Sequence, residues 1–484
     1  MSARPRIGLL SLSAIPDDPR VRRQGDLFHQ HGFDVTAWGL PNWRSSPPDW
    51  PCRVPQQIVA PPCPSKDERL DADGTFETQI ASIPASSEAQ QPSIRSVGKF
   101  PVRHSRAIAG CVFRGAVKST VQRAVALTVS GASRTQILAR KIQWQGAKLS
   151  EQAALHFSPA AAIRNYWTLN GVFTEIYESA AREKVDIWLA NDWSSLPIVQ
   201  RLAREQNVPY IYDTHELAVF EYSQNLRWRL GMRPVIAAVE RAGIHGAAAV
   251  SCVSDGIADR LHSFHRLEDR PRVIRNMPSY AESPFRPVGE KIGVLYHGMV
   301  FPGRGLEEAI ESLPAWRDAF HFTIRGPGPE DYIALLKDLA DRHRVTERVT
   351  FAPPVPMIDL VQEAQSFDVG FFAIRGHSLQ NTYVLPNKFF EYAMAGLALC
   401  VSDLPEMRKL LDRYGMGILM RQCEPAAIAQ AVNSLTRPAI DNFKRKSLEG
   451  AKELCWENEG KAFLAMAERA LGQRAGLIEG TTIA

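Results

Sequence analysis

The chain has 484 residues, 45% of them hydrophobic and 23% charged, a balance that excludes a largely disordered protein and leaves room for roughly two to four domains without disulfide or metal staples. Its seven cysteines include no C-x-x-C pair and no Cys/His cluster, which excludes a zinc module and fits a reducing compartment. The net charge of +5 is uneven: residues 94–150 hold eleven Lys/Arg and no Asp or Glu, against 46 basic and 52 acidic residues elsewhere, so the basic character belongs to one segment.

The first forty residues predict a βαβ unit. Ile7 to Leu12 is a short apolar strand, DDPRVRR opens a helix running to about Gln30, Gly32 stops it, and FDVTAWG forms a second strand. The opening apolar run is broken by Pro16, Asp17 and Asp18, too soon for the apolar core of a signal peptide. No window of about 18 apolar residues predicts a membrane span, so the expected location is the cytoplasm. Residues 41–93 are rich in Pro, Ser, Ala and Gln and predict a surface insertion. The D-x-D at 71–73 falls there and is discounted as a metal site, because so loose a motif in a loop occurs readily by chance. In the basic segment, Phe113, Val117, Val121, Ala124 and Leu127 share one helical face, flanked by Arg114, Lys118 and Arg123.

Alternation resumes beyond a helix at 160–184. Strands are predicted at VDIWLAND, VPYIYDTHE, AAAVSCVS and PRVIRNMP, with helices at SLPIVQRLAREQN, at about 226–244, and at DGIADRLHSF capped by Ser254 or Asp255. Residues 277–290, rich in Pro, Ser and Glu, predict a linker. A second βαβ series starts at KIGVLYHG and continues through strands FHFTIRG, RVTFAP, DVGFFAI and LALCVSD, interleaved with helices, to a helical segment at about 440–472. The expectation is an α/β chain of two Rossmann-like doubly wound domains: 1–280 with an insertion at about 41–160, then 286–455, then a C-terminal helix at 456–475.

Ligands of open α/β sheets bind beyond the carboxyl ends of the strands. Three such ends stand out in the second half. In YHGMVFPGRG, Arg304 and Gly305 open a helix, where backbone N–H groups and a guanidinium suit a diphosphate; an ordinary βα turn with a solvated Arg is the competing reading. In IRGPGPE, Gly326 and Gly328 permit close backbone approach, or simply a tight turn. In LPNKFFEYAMAG, Pro386 suits a first helical turn, with Asn387 and Lys388 at the helix start and Glu391 one turn on. A carboxylate there can accept two sugar hydroxyls, whereas Phe389, Phe390, Tyr392 and Met394 suit a core face.

Taken in order, DPRVRRQ, YDTHE (212–216), VIRNMP (273–278), HGMVFPGRG (297–305) and LPNKFFEYAMAG (385–396) resemble the retaining glycosyltransferase family 4 of GT-B fold, over residues 5–40 and about 160–472. The resemblance implies two Rossmann-like domains facing across a cleft, with a nucleotide-sugar donor held mainly by the second. By position, Glu391 matches the ribose-binding glutamate, Arg304 and Lys388 the diphosphate-contacting bases, and His215 a histidine near the donor sugar. Asp18 and Arg20 lie in a first-strand loop that faces the cleft on the acceptor side, and the last helix crosses back onto the first domain. Three positions depart from the family pattern. Tyr383 stands where an acidic residue precedes the glutamate by eight, SLSAIPDDP replaces paired glycines, and Met299–Val300 replaces a basic residue.

The expected activity is transfer of a sugar, with retention, to a glycan or polyprenyl-linked acceptor in cell-surface polysaccharide or lipopolysaccharide assembly. Neither cofactor nor metal is expected, the nucleotide sugar being a substrate and cationic groups taking up the departing charge. Two other readings stand: a sugar-nucleotide epimerase of similar fold, and a non-catalytic nucleotide-sugar-binding scaffold, which the Tyr383 departure leaves open. The basic segment 94–150 reads either as contact with an anionic membrane, peripheral on the inner face, or as a solvated insertion. It holds no aromatic-plus-basic module for nucleic acid, and none is expected as a partner.

Overall fold

A computed structural model of the chain describes residues 4–55 and 159–481. The basic segment, its apolar stripe and the D-x-D at 71–73 lie outside the described residues. By packing, the described residues divide into two compact units: 4–18, 32–55, 159–212 and 225–247 form one, and 19–31, 213–224 and 248–481 the other.

Two parallel sheets carry the architecture. The first holds seven strands: β1 (Arg6–Leu10), β2 (Asp34–Trp38), β3 (Cys52–Arg53), β4 (Ile187–Asn191), β5 (Tyr210–Thr214), β6 (Ala249–Cys252) and β7 (Arg272–Val273). Their order is β3-β2-β1-β4-β5-β6-β7. The second holds β8 (Ile292–His297), β9 (Phe320–Arg325), β10 (Val349–Ala352), β11 (Val369–Phe372), β12 (Ala398–Ser402) and β13 (Gly417–Met420), in the order β10-β9-β8-β11-β12-β13. Both orders run outward from the first strand of the series and then reverse, the doubly wound pattern of Rossmann-like domains. Parallel strands covered on both faces require nearly continuous apolar sequence; accordingly every residue of IWLAN in β4, YIYDT in β5 and ALCVS in β12 is buried.

Helix Pro19–Gln30 follows β1 as the βαβ pattern predicts. The helix expected over 226–244 is broken at Gly231 into Leu226–Leu230 and Met232–Ile244, because the glycine adopts a backbone that no helix shares. Ser254 is the cap of helix Asp255–His265, its hydroxyl accepting from the Ile257 N–H. The strand expected over PRVIRNMP pairs for only two residues, Arg272 and Val273. Helices Pro405–Tyr414 and Pro425–Ser434 and strand β13 between them complete the second sheet. The sequence pattern does not single them out, because β13 is only four residues long and mostly half-buried. The core of the second sheet centres on Trp316, Phe322 and Phe371, with ring centroids 5.4 to 6.4 Å apart. The last helix, Trp456–Thr481, lies along Pro19–Gln30, where Phe463 meets Phe28 edge-on at 6.0 Å.

Candidate functional site

The strand order of the second sheet reverses between β8 and β11, and that is where an open α/β sheet places its ligand. β8 ends at His297, and the chain turns at Gly298 with φ +119°. Gly326, at the end of β9, has φ +146°, and a side chain on it would lie 1.8 Å from the Gly298 carbonyl oxygen. Only glycine lets these two turns touch. Gly305 has φ +67° and precedes helix Leu306–Ser312; a side chain there would meet the Ala373 carbonyl at 2.6 Å. The glycines predicted from sequence are therefore required by close backbone approach at adjacent strand ends.

Helix Asn387–Met394 enters the same neighbourhood. Pro386 is its cap rather than part of its first turn, so Asn387 is the first helical residue and its N–H is free of any intrahelical partner. Phe389, Phe390, Tyr392 and Met394 are buried, which fixes the helix against the sheet. That anchoring presents Lys388 to the turn after β8: a side chain at Gly298 would meet Lys388 Nζ at 3.1 Å. The ammonium lies over two rings, 4.5 Å from the centroid of Tyr296 and 4.7 Å from that of Phe372. Burial lowers Lys388 to about 7; Arg304 pushes the same way and Glu391 opposes it. Among the described residues Arg304 makes no hydrogen bond or ion pair. Two cationic groups thus repel one another beside the glycine turns, an arrangement that an anionic ligand relieves.

Glu391 is 5% exposed. Burial alone would raise its carboxyl, but His297, with Arg23 and Lys388 beyond it, holds it below the ordinary carboxylate value. His297 Nε2 stands 2.8 Å from Glu391 Oε2. Among the described residues neither ring nitrogen of the buried His297 makes an in-line hydrogen bond, so the pair is a short contact.

The segment after β5 makes a second carboxylate–histidine pair. His215 Nε2 lies 3.3 Å from Asp213 Oδ2. Asp213 is fully buried and accepts four further hydrogen bonds: from Arg20 Nε at 2.5 Å and Nη2 at 2.6 Å, Gln24 Nε2 at 2.7 Å and Ser251 Oγ at 2.6 Å. Burial pushes its carboxyl up, but Arg20 and then His215 outweigh that and hold it far below the usual range. His215 itself is 19% exposed, so Asp213 orients an imidazole that remains reachable. Arg20 is 1% exposed and also donates from Nη1 to the Ile274 carbonyl at 2.8 Å. Its guanidinium is committed to this network rather than presented to solvent. Asp18 is half-buried at the end of the turn after β1, where its N–H donates to the Ile15 carbonyl at 3.2 Å.

Tyr222 stands eight positions past the end of β5; burial first, then Glu221 and Glu216, push its phenol up, while Arg304 pulls it down. Tyr383 serves packing. Its ring fills the space that a side chain at Gly256 would occupy, 1.9 Å from the ring carbon, and its carbonyl accepts from Ser254 Oγ at 2.8 Å. Sequence patterning passed over His297 and Asp213 as members of the site. Asp213 had a signal, since it lies two residues before His215 on the same face of a strand. His297 had none beyond its place at a strand end. Two surface cavities, of about 340 Å³ beside Trp456 and about 210 Å³ beside Met394, involve neither cluster.

Comparison with known proteins bears on what these clusters serve. Residues 115–277 match the family of glycosyl transferase 4-like domains, and residues 291–437 match the glycosyl transferases group 1. No curated protein matches. Among solved structures, sucrose-phosphate synthase from Thermosynechococcus elongatus is similar with a TM-score of 0.64 and 13% identity, over 97% of this chain and 100% of its own. Anabaena HepE, solved in complex with UDP and glucose, has a TM-score of 0.56 and 12% identity over 96% of this chain and 100% of its own. WaaG, a glycosyltransferase involved in lipopolysaccharide biosynthesis, has a TM-score of 0.52 and 11% identity over 94% and 98%. At such identities the likeness is one of fold. With two family matches in chain order and two parallel sheets wound alike, the chain carries a glycosyltransferase-like pair of domains of GT-B fold.

Proposed function

We propose that this chain is a glycosyltransferase that moves a sugar from a nucleotide-sugar donor to a glycan or polyprenyl-linked acceptor, with retention of configuration. The observation that carries this reading is the group formed by Arg304, Lys388 and Glu391 around glycine turns at a sheet switch point. Glu391 accepts the ribose hydroxyls. Arg304 and Lys388, with the first N–H groups of helix Asn387–Met394, take up the charge that develops on the departing diphosphate. Fixed cationic groups of this kind stabilise a leaving group without a metal, so the proposal needs no metal or other cofactor. His215, oriented by Asp213, directs a hydrogen bond to the donor sugar from the nitrogen that does not face the carboxylate.

Cell-surface polysaccharide or lipopolysaccharide assembly is the proposed setting. The likeness to HepE, solved with UDP and glucose, and to WaaG supports a UDP-type donor and a surface glycan. No helix among the described residues is long and apolar enough to cross a membrane. The basic segment 94–150 is proposed to meet a lipid-linked acceptor at a membrane surface. The test is to incubate the protein with a panel of nucleotide sugars and membrane-extracted glycolipid acceptors and to follow the product's anomeric signal. Transfer with an unchanged anomer supports the proposal. Donor consumption without transfer, giving an isomerised sugar nucleotide, favours an epimerase, and binding without turnover favours a scaffold.

A further inference from the structure

We infer that His297 is a positioning residue that sets discrimination between ribose and 2′-deoxyribose nucleotides, acting through the carboxylate of Glu391. The inference rests on the donor-site reading above and goes one residue deeper into it. The His297 side chain is 1% exposed and held from several sides. Its backbone N–H donates to Tyr392 Oη at 3.1 Å, Tyr392 Oη donates to the Phe371 carbonyl at 3.2 Å, and the two rings lie 4.7 Å apart at 33°. A ring fixed in this way has two unpartnered nitrogens in a dry setting, which native interiors rarely tolerate without a purpose. One of those nitrogens stands 2.8 Å from Glu391 Oε2. A pair that is short yet out of line is the form such contacts take before a bound state aligns them.

The division of labour on the carboxylate follows. Oε2 faces His297 at 2.8 Å, and neither carboxylate oxygen is among the buried atoms that lack a partner, so the carboxylate stays reachable. A ribose hydroxyl donating to Oε1 needs the carboxylate held at one angle, and His297 is in contact with its other oxygen. Without it, burial acts on Glu391 with only Arg23 and Lys388 opposing. The carboxyl then shifts toward its neutral, freely rotating form, and the preference for a 2′-hydroxyl goes with it. A site built to hydrogen-bond a hydroxyl penalises the analogue lacking it more strongly than an apolar pocket does.

The experiment compares UDP, GDP and ADP with their 2′-deoxy counterparts by titration calorimetry, on the native chain, His297→Phe and His297→Gln. The native chain is expected to bind one ribonucleotide at least about tenfold more tightly than its deoxy form. Phenylalanine keeps the ring against Tyr392 but removes the contact with Glu391, and should bring the ratio to within about twofold of unity; glutamine keeps a donor and should restore part of it. A merely structural role would weaken both ligands together and leave the ratio intact, which overturns the inference while leaving the donor site standing. A native ratio near one overturns it as well. If the native chain binds none of the nucleotides, the donor-site reading falls, and the inference with it.

Discussion

Asp213 is the residue on which most local charge converges. It receives two bonds from Arg20 and one each from Gln24 and Ser251, with His215 alongside. Removing one partner of a buried pair leaves the other uncompensated, so Arg20→Met should destabilise the fold by about 3–5 kcal/mol, measured by urea unfolding. Because the folded carboxyl is depressed, the stability that Asp213 contributes is complete above the unfolded carboxylate value. It is lost as pH falls below that value; the native chain should show this acid loss and Arg20→Met much less of it. Lys388 works in the opposite sense. Its folded value of about 7 lies below that of a free lysine, so between the two the folded chain holds fewer protons than the unfolded one. In that window its contribution to stability rises with pH. A bound diphosphate favours the charged ammonium, so binding above pH 7 should take up a proton. Affinity for a nucleoside diphosphate should then fall by up to about tenfold per pH unit between 7 and 9, and Lys388→Met should flatten the slope. Calorimetry in buffers of different ionisation enthalpy reads both effects. Local rules place Arg304, Lys388 and Glu391 at a glycine turn and a helix start, while their proposed roles came only through the family resemblance. The commitment of Arg20 to Asp213 was not legible in the sequence, since the partners are 193 positions apart and no local pattern pairs them.

At the scale of elements, turns matter more than helices. The contact of Gly326 with the Gly298 carbonyl leaves no room for a β-carbon, and the obstacle is backbone rather than a flexible side chain. Gly326→Ala should therefore cost at least about 2 kcal/mol and weaken nucleotide binding together with stability, read by thermal melting with and without ligand. The strands were legible where burial on both faces makes them continuous apolar runs, as in β4, β5 and β12. A short or half-buried strand is harder to read: β7 was expected but over too long a stretch, and β13 was not singled out. The break at Gly231 was missed because helical periodicity continues across it, and one glycine in a helical pattern is not by itself a stop.

For the molecule as a whole, two doubly wound α/β halves were readable from βα alternation, whereas the strand order within each sheet comes from the structure. The packing of the last helix was expected only through family resemblance. In the structure its Phe463, fully buried, meets Phe28 and lies 5.8 Å below the Arg20 guanidinium carbon. Phe463→Ala should cost about 3–5 kcal/mol and, through Arg20, loosen the Asp213–His215 pair; urea unfolding and the pH dependence of turnover would register the two effects separately. The central claim is that the second sheet holds a nucleotide sugar through Glu391 and its cationic neighbours. Its most direct test is the melting temperature of the native chain and of Glu391→Ala against UDP-, GDP-, ADP-, TDP- and CMP-sugars. A ligand at about 100 times its dissociation constant adds about 2.7 kcal/mol, so donors of one base class should stabilise the native chain clearly and the variant little. No shift with any donor, in protein shown to be folded, would contradict the claim.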